Sequence, residues 1–265
     1  MAEYQNLLWG ISLSYPDSWQ KALDGDAVLF SAPESDPSSD GDFETGKVML
    51  RLEWNPEQTD IKKLWNLHIG KIAGVLGAKR IGAGPWHMGD MKGMEAELVM
   101  PKQDPMRLWT GVLTRERIIL HFMVTHHKLD RERFEPLATA LIKSLRFHAP
   151  AAKREPELIF PIPPEYEQTD PLSVIEDIKD PSVWQAFKGA ASVGALQAFY
   201  ARELPAAAWQ ITAYDPIPGP SEPGFARFAL QREGVQIILG ILPAGGDAPP
   251  SAQPGIILFR QLSLP

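Results

Sequence analysis

The sequence predicts an α+β chain of two domains, and three observations carry that expectation. Short apolar-polar alternations bounded by turn residues recur in both halves, the period of two that marks half-buried strands. A helical period replaces them over 59–77, after Asp130, and again from Ser192. Proline divides unevenly, with nine of the 25 prolines in residues 1–150 and sixteen in the shorter remainder. The stretch Ala149-Pro150-Ala151-Ala152-Lys153-Arg154-Glu155-Pro156 is small, charged and proline-flanked, so it reads as a linker and sets a boundary near 150. A first domain over 1–150 and a second, smaller one over 151–265 are therefore expected, in line with a length above the usual 100–200 residues or so per domain.

In the first half, 10–15 alternates as a strand and Pro16-Asp17 ends it, so the first strand is expected about ten residues in. Residues 27–31 and 47–54 read as further strands. From Thr59 the period changes, and Ile61, Leu64, Trp65, His68, Ile72, Val75 and Leu76 form one stripe behind an N-cap at Thr59 or Asp60. Strands follow at 79–86, 91–100, 107–115 and 118–125, and their short connections favour antiparallel neighbours. After Asp130, Phe134, Leu137, Ala138, Leu141, Ile142 and Leu145 make a second helical stripe. Proline is tolerated in a first helical turn, so Pro136 places the start of regular helix close to itself. Leu145-Arg146-Phe147 closes the unit.

Three segments carry a resemblance: Gly-Ile-Ser-Leu-Ser-Tyr-Pro-Asp-Ser-Trp at 10–19, Val-Leu-Phe-Ser-Ala-Pro-Glu at 28–34, and Leu-Ile-Lys-Ser-Leu-Arg-Phe at 141–147. Residues of about 7–148 resemble the Mog1/PsbP-like family. The resemblance implies a central antiparallel sheet with flanking helices, and protein binding without catalysis as the common theme of its members. Its motifs are structural, a strand, a turn and a helix end, so no functional residue is carried over from it.

The second half opens on Leu158-Ile159-Phe160-Pro161-Ile162-Pro163-Pro164, an extended proline-rich segment suited to an edge strand or a packed linker. Ser192 starts a helix to about Glu203, with Val193, Leu196, Phe199, Tyr200 and Leu204 on or near one face and Pro205 at its end. Strands at 209–214, 225–231, 235–242 and 256–263 make an antiparallel meander, with Arg232-Glu233-Gly234 as its clearest hairpin turn. This small helix-plus-meander unit is loosely similar to α+β units attached to bacterial envelope proteins. No internal repeat relates the halves.

Apolar residues at 44% and charged residues at 22% are globular values. A net charge of −7 disfavours nucleic acid, because neutralising phosphates takes clustered Lys and Arg. No apolar run reaches the roughly 18 residues of a transmembrane span. The start lacks a signal-peptide pattern, so the expected compartment is cytoplasmic if Met1 is the native start and extracytoplasmic if an export signal has been removed. The absence of cysteine excludes disulfides, thiol nucleophiles and cysteine metal sites.

The histidines all lie in the first half and invite a metal or acid–base reading of His121, His126 and His127. On a strand His121 and His127 share a face but stand roughly 20 Å apart at ~3.3 Å per residue, and His126 points the other way. A local three-histidine zinc site is thereby excluded, leaving only long-range partners such as His87 or His148. His68, on an apolar helix face, reads as a core histidine satisfied by one hydrogen bond. Asp36-Pro37-Ser38-Ser39-Asp40-Gly41-Asp42-Phe43-Glu44 spaces oxygen ligands like a calcium loop, but Lys47 stands where the closing bidentate glutamate belongs, so a solvated loop is expected. No nucleophile elbow occurs, and Gly82-Ala83-Gly84-Pro85 has the wrong spacing for a dinucleotide fingerprint. No catalytic residue, metal ligand or cofactor is assigned.

Of the eight tryptophans, Trp9, Trp19, Trp54, Trp65, Trp86 and Trp109 lie in the first domain. Most are expected in the core, with one or two left exposed as an aromatic anchor for a partner. The expected role is a noncatalytic protein-binding or accessory module of a bacterial protein assembly, with a protein partner. The alternatives are a hydrolase-like enzyme with an interdomain site and an adaptor or chaperone for a secreted partner.

Overall fold

The computed structural model describes residues 1–33, 46–100, 106–148, 160–217 and 224–262. Two compact units emerge, one built of Met1–Gln5 and Ser12–Arg146, the other of Asn6–Ile11 and Phe147–Pro265. The acidic loop at Asp36 to Glu44 and the linker at Ala149 to Pro156 lie outside the described residues.

The first unit runs β1 (Ala2–Asn6), β2 (Ile11–Tyr15), β3 (Gln20–Asp24), β4 (Ala27–Ser31), β5 (Lys47–Trp54), α1 (Ile61–Leu76), β6 (Lys79–Met88), β7 (Met91–Val99), β8 (Met106–Arg115), β9 (Ile118–His127), α2 (Arg131–Lys143) and β10 (Arg146–Phe147). Seven strands form one sheet in the order β3-β4-β5-β9-β8-β7-β6, every neighbouring pair antiparallel. A small sheet of order β1-β2-β10 completes it. The first strand thus comes earlier than expected. β1 reads Ala-Glu-Tyr-Gln-Asn and buries only Tyr4, so it carries too little apolar alternation to be read as a strand.

Pleating gives the large sheet two different faces. Met106, Leu108 and Val112 of β8 meet Trp65 and Ile72 of α1 in one apolar cluster with Ala96 and Leu98 of β7. Asp60 caps α1 by accepting from the Lys62 amide at 2.8 Å, and Gly77 ends it at φ 62°, where a side chain would be strained. Val75 is 75% exposed, because the α1 stripe is wider than the sheet surface beneath it. The opposite face carries Leu120, Phe122 and Val124 of β9, over which α2 packs Phe134, Ala138, Leu141 and Ile142. Leu137 is 43% exposed at the edge of that stripe. Helix α2 starts at Arg131, so Pro136 lies inside its second turn and not at its start. Stacking of Phe134 on Trp19, with centroids 5.2 Å apart and planes 9° from parallel, helps hold that first turn.

The second unit runs β11 (Glu167–Thr169), β12 (Trp184–Ser192), α3 (Val193–Ala206), β13 (Gln210–Asp215), β14 (Ala226–Arg232), β15 (Val235–Pro243) and β16 (Pro254–Leu262). The meander β13-β14-β15-β16 is present, and β12 and β11 extend it beyond β16 to a sheet of six strands. Phe160 and Ile162 form no strand but pack into the core under α3, so the proline-rich opening is a packed segment. Ser192 caps α3 by accepting from the Ala195 amide at 3.0 Å. Gln197, fully buried within α3, donates to Val193 O at 3.2 Å and accepts from the Tyr214 hydroxyl at 2.6 Å. Arg202 donates to the carbonyls of Leu7 and Leu8 at 2.7 and 3.0 Å, which seats 6–11 in this unit.

Tyr200, also on α3, is fully buried, and its hydroxyl has no hydrogen-bond partner. Burial pushes this phenol well above its usual titration range. An orphaned hydroxyl costs about 1–3 kcal/mol of desolvation. Tyr200→Phe is therefore expected to leave the unfolding free energy from chemical denaturation unchanged or raise it by about 1 kcal/mol; a loss of stability would mean the hydroxyl has a partner.

Candidate binding site

On the α2 face, the β6-β7-β8 end of the sheet carries a pocket of about 410 Å³. Register explains its composition. Trp86 pairs with Gly93 and Gly93 with Leu113, while Glu95 pairs with Gly111 and Gly111 with Phe122. Gly111 carries no side chain and the Phe122 ring lies against it, while at Gly93 the backbone of β8 comes close. Trp86 and Trp109 meet edge to face at 5.5 Å and 81°, and Phe122 supports both at 4.9 and 4.8 Å.

The walls are charged. The Trp109 indole N–H donates to Glu95 Oε2 at 2.8 Å, which fixes the ring. Arg131 of α2 donates to Glu97 at 3.1 Å and to Glu135 at 3.2 Å. Buried His126 joins this group, with Nε2 3.2 Å from Glu135 and Nδ1 2.9 Å from His127 O. Three carboxylates against one arginine leave the rim acidic. Gly82 and Gly84 of the edge strand β6 line the same pocket, and the space above both is open. Trp19, Trp54 and Trp65 are buried, leaving Trp86 and Trp109 as the half-buried tryptophans of the first unit; Trp9, also buried, falls in the second unit and not in the first, where it was expected.

On the α1 face, Thr110, His68 and His121 form a hydrogen-bonded chain, with Glu53 in contact at its end. The Thr110 hydroxyl donates to Phe122 O at 2.7 Å, so it accepts from His68 Nε2 at 2.8 Å. His68 Nδ1 is then the bare acceptor for His121 Nδ1–H at 3.2 Å. His121 Nε2 lies 3.2 Å from Glu53 Oε2, off the N–H axis, as an ion-pair contact and not a linear hydrogen bond. Burial is the largest cause pushing His68 down to about 4, with the charges of His121 and Lys71 adding to it. Contact with His121 holds Glu53 below its ordinary value, against desolvation that pushes it up. His68 therefore has two side-chain partners where one hydrogen bond was expected, because strand pairing brings Thr110 and His121 under the same turn of α1. Thr110 is fully buried and gives its proton to a carbonyl, so it is closed to substrate and unsuited as a nucleophile.

His127 accepts from the Leu129 amide at 3.2 Å, and His87 is exposed on β6. Among the described residues no three His, Asp or Glu side chains gather to hold a metal ion, and no helix is long and apolar enough to cross a membrane. Beyond the tryptophans, the sequence points here only through Gly82-Ala83-Gly84, whose spacing is wrong for a dinucleotide loop, and His126, a candidate for a metal or acid–base role; the glutamates give no local signal, since only register brings Glu95 and Glu97 beside the rings.

No protein-family model matches the chain, and no curated protein matches it. Among solved structures, the chain is similar to the PsbP protein CyanoP of Synechocystis sp. PCC 6803, at 12% identity and TM-score 0.42, over 56% of this chain and 92% of that one. It is similar to LpqN of Mycobacterium tuberculosis, at 12% identity and TM-score 0.40, over 52% of this chain and 83% of that one. A Mog1 structure matches at 9% identity and TM-score 0.37, over 52% of this chain and 90% of that one. These matches include the two proteins after which the resembled family is named.

Proposed function

We propose that the chain is a noncatalytic protein-binding module whose first unit engages its partner at the Trp86–Trp109 pocket. The observation that carries this reading is the pair of half-buried indoles, held edge to face on a supporting phenylalanine. Rigid aromatic side chains of this kind lose little entropy on binding and dominate interface energetics. Surrounding carboxylates select a partner segment bearing Lys or Arg, whose cation can stand over an indole face while pairing with Glu95 or Glu97. Because β6 is the sheet edge, an extended segment can also pair with its backbone.

Affinity capture on the tagged full chain from its native host tests this. Wild type is expected to recover a stoichiometric protein, and Trp86→Ala to weaken its binding by about 30-fold or more, the effect of losing a hot spot of about 2 kcal/mol. Recovery of free chain alone, or equal binding by Trp86→Ala that circular dichroism shows to be folded, would end the proposal.

A further inference from the structure

A second site is built into the other unit and makes no use of the tryptophan pocket. A cavity of about 350 Å³ is lined by Phe160, Phe187, Trp209, Ile237, Phe259 and Arg260, among others. That volume lies at the lower end of the range of about 300–1,000 Å³ for small-molecule pockets. Four rings contribute to its wall, where Phe160 stands 4.4 Å from Phe259 and 6.1 Å from Trp209 and Phe187 stacks on Phe259 at 5.9 Å and 3°, and Gln185, Arg260 and Gln261 are its polar lining residues.

Among the described residues, two donors of the cavity lining lack acceptors, the Trp209 indole N–H and Arg260 Nε, and a third, Arg232 Nε, lies beside it. Trp209 is 3% exposed, and its indole N–H has no partner. Arg232 is the cross-strand neighbour of Val235, which lines the cavity, and follows Phe228 and Leu230 on the core-facing side of β14. Its side chain is 10% exposed and its Nε is also without a partner. Arg232 Nη1 donates to Ala207 O at 3.1 Å, which ties the guanidinium to the turn leading into Trp209. Its counter-charge is weak, since Glu233 stands 4.0 Å from Nε and is 74% exposed. Buried donors without acceptors are rare in native proteins, and each calls for an explanation.

We propose that this cavity binds a small apolar carboxylate, such as a medium-chain acyl or aryl acid. The tail fills the aromatic space, and the carboxylate accepts from the Trp209 indole and pairs with Arg260, both of which line the cavity, while Arg232 adds positive charge beside it. A neutral apolar molecule would fill the volume but leave both donors unsatisfied. A basic or polar ligand would gain nothing from the phenylalanine walls.

Titration calorimetry on the full chain, with octanoate and 1-octanol as probes, tests the assignment. Octanoate is expected to bind at one site per chain, at least tenfold tighter than 1-octanol, and to raise the thermal midpoint of unfolding. Trp209→Phe keeps the ring and removes the donor, so it should weaken octanoate about tenfold and leave 1-octanol unchanged. Val235→Trp should fill the cavity and abolish both. Equal affinity for the two probes, or octanoate binding untouched by Trp209→Phe, would overturn the proposal. If Val235→Trp fails to fold, the Trp209→Phe comparison decides alone. A Trp86→Ala chain should still bind octanoate, so this site stands or falls apart from the tryptophan pocket.

Discussion

Gly93→Ala is expected to destabilise the first unit by about 3 kcal/mol or more, at the upper end of overpacking effects. A Cβ at Gly93 would lie 1.8 Å from Val112 O and 2.8 Å from Leu113 Cα, both backbone atoms of the neighbouring strand. No side-chain rotation relieves such a clash, so β7 and β8 would have to part where Trp86 leans over the sheet. Gly82→Ala is the control: it sits on β6 in the same pocket, and nothing stands within 4 Å of its Cβ. That change should be neutral or stabilising by a few tenths of a kcal/mol, through the unfolded state. Urea midpoints for the two variants check the pair. Equal stability would show that β7 and β8 have slack at Gly93.

Gly93 also shows where sequence reading reaches its limit. Strands β4 and β5 and the N-cap of α1 were legible, because their alternation and the Asp60 cap act within a few residues. The strands that escaped are those with little apolar alternation. β3 reads Gln-Lys-Ala-Leu-Asp with every residue exposed, as an edge strand can, and β11 has three residues. β12 hides its alternation behind Lys188, Gly189 and two alanines. For the sites, the tryptophans stood out by number, but their pairing depends on the β6-β7-β8 register, in which Gly111 yields space to the Phe122 ring that supports both. Likewise His68 and His121 meet across 53 positions, and only the β8–β9 register puts Thr110 beside them. Tertiary pairing set these contacts, and no local pattern encodes it.

The histidine chain gives the largest expected pH effect. His68 is lowered to about 4 in the folded protein from an ordinary 6.5, so between these values the unfolded chain takes up a proton that the folded chain refuses. Its stabilising contribution is fully present above about pH 6.5 and is lost as pH falls towards 4. A tenfold change in proton affinity is worth about 1.4 kcal/mol, and with His68 partly solvated the total loss should be about 2–3 kcal/mol. Glu53, also lowered, adds to the loss only further into acid, as pH falls through its folded value. The cause is chiefly burial, and a proton on His68 Nδ1 would also remove the acceptor that His121 uses. His68→Gln should therefore flatten the stability profile between pH 6.5 and 4 by about one proton's slope, while costing only about 1 kcal/mol at pH 7. Urea unfolding across that range measures both quantities. Parallel profiles for wild type and His68→Gln would show that His68 is not the group that loosens α1 in acid.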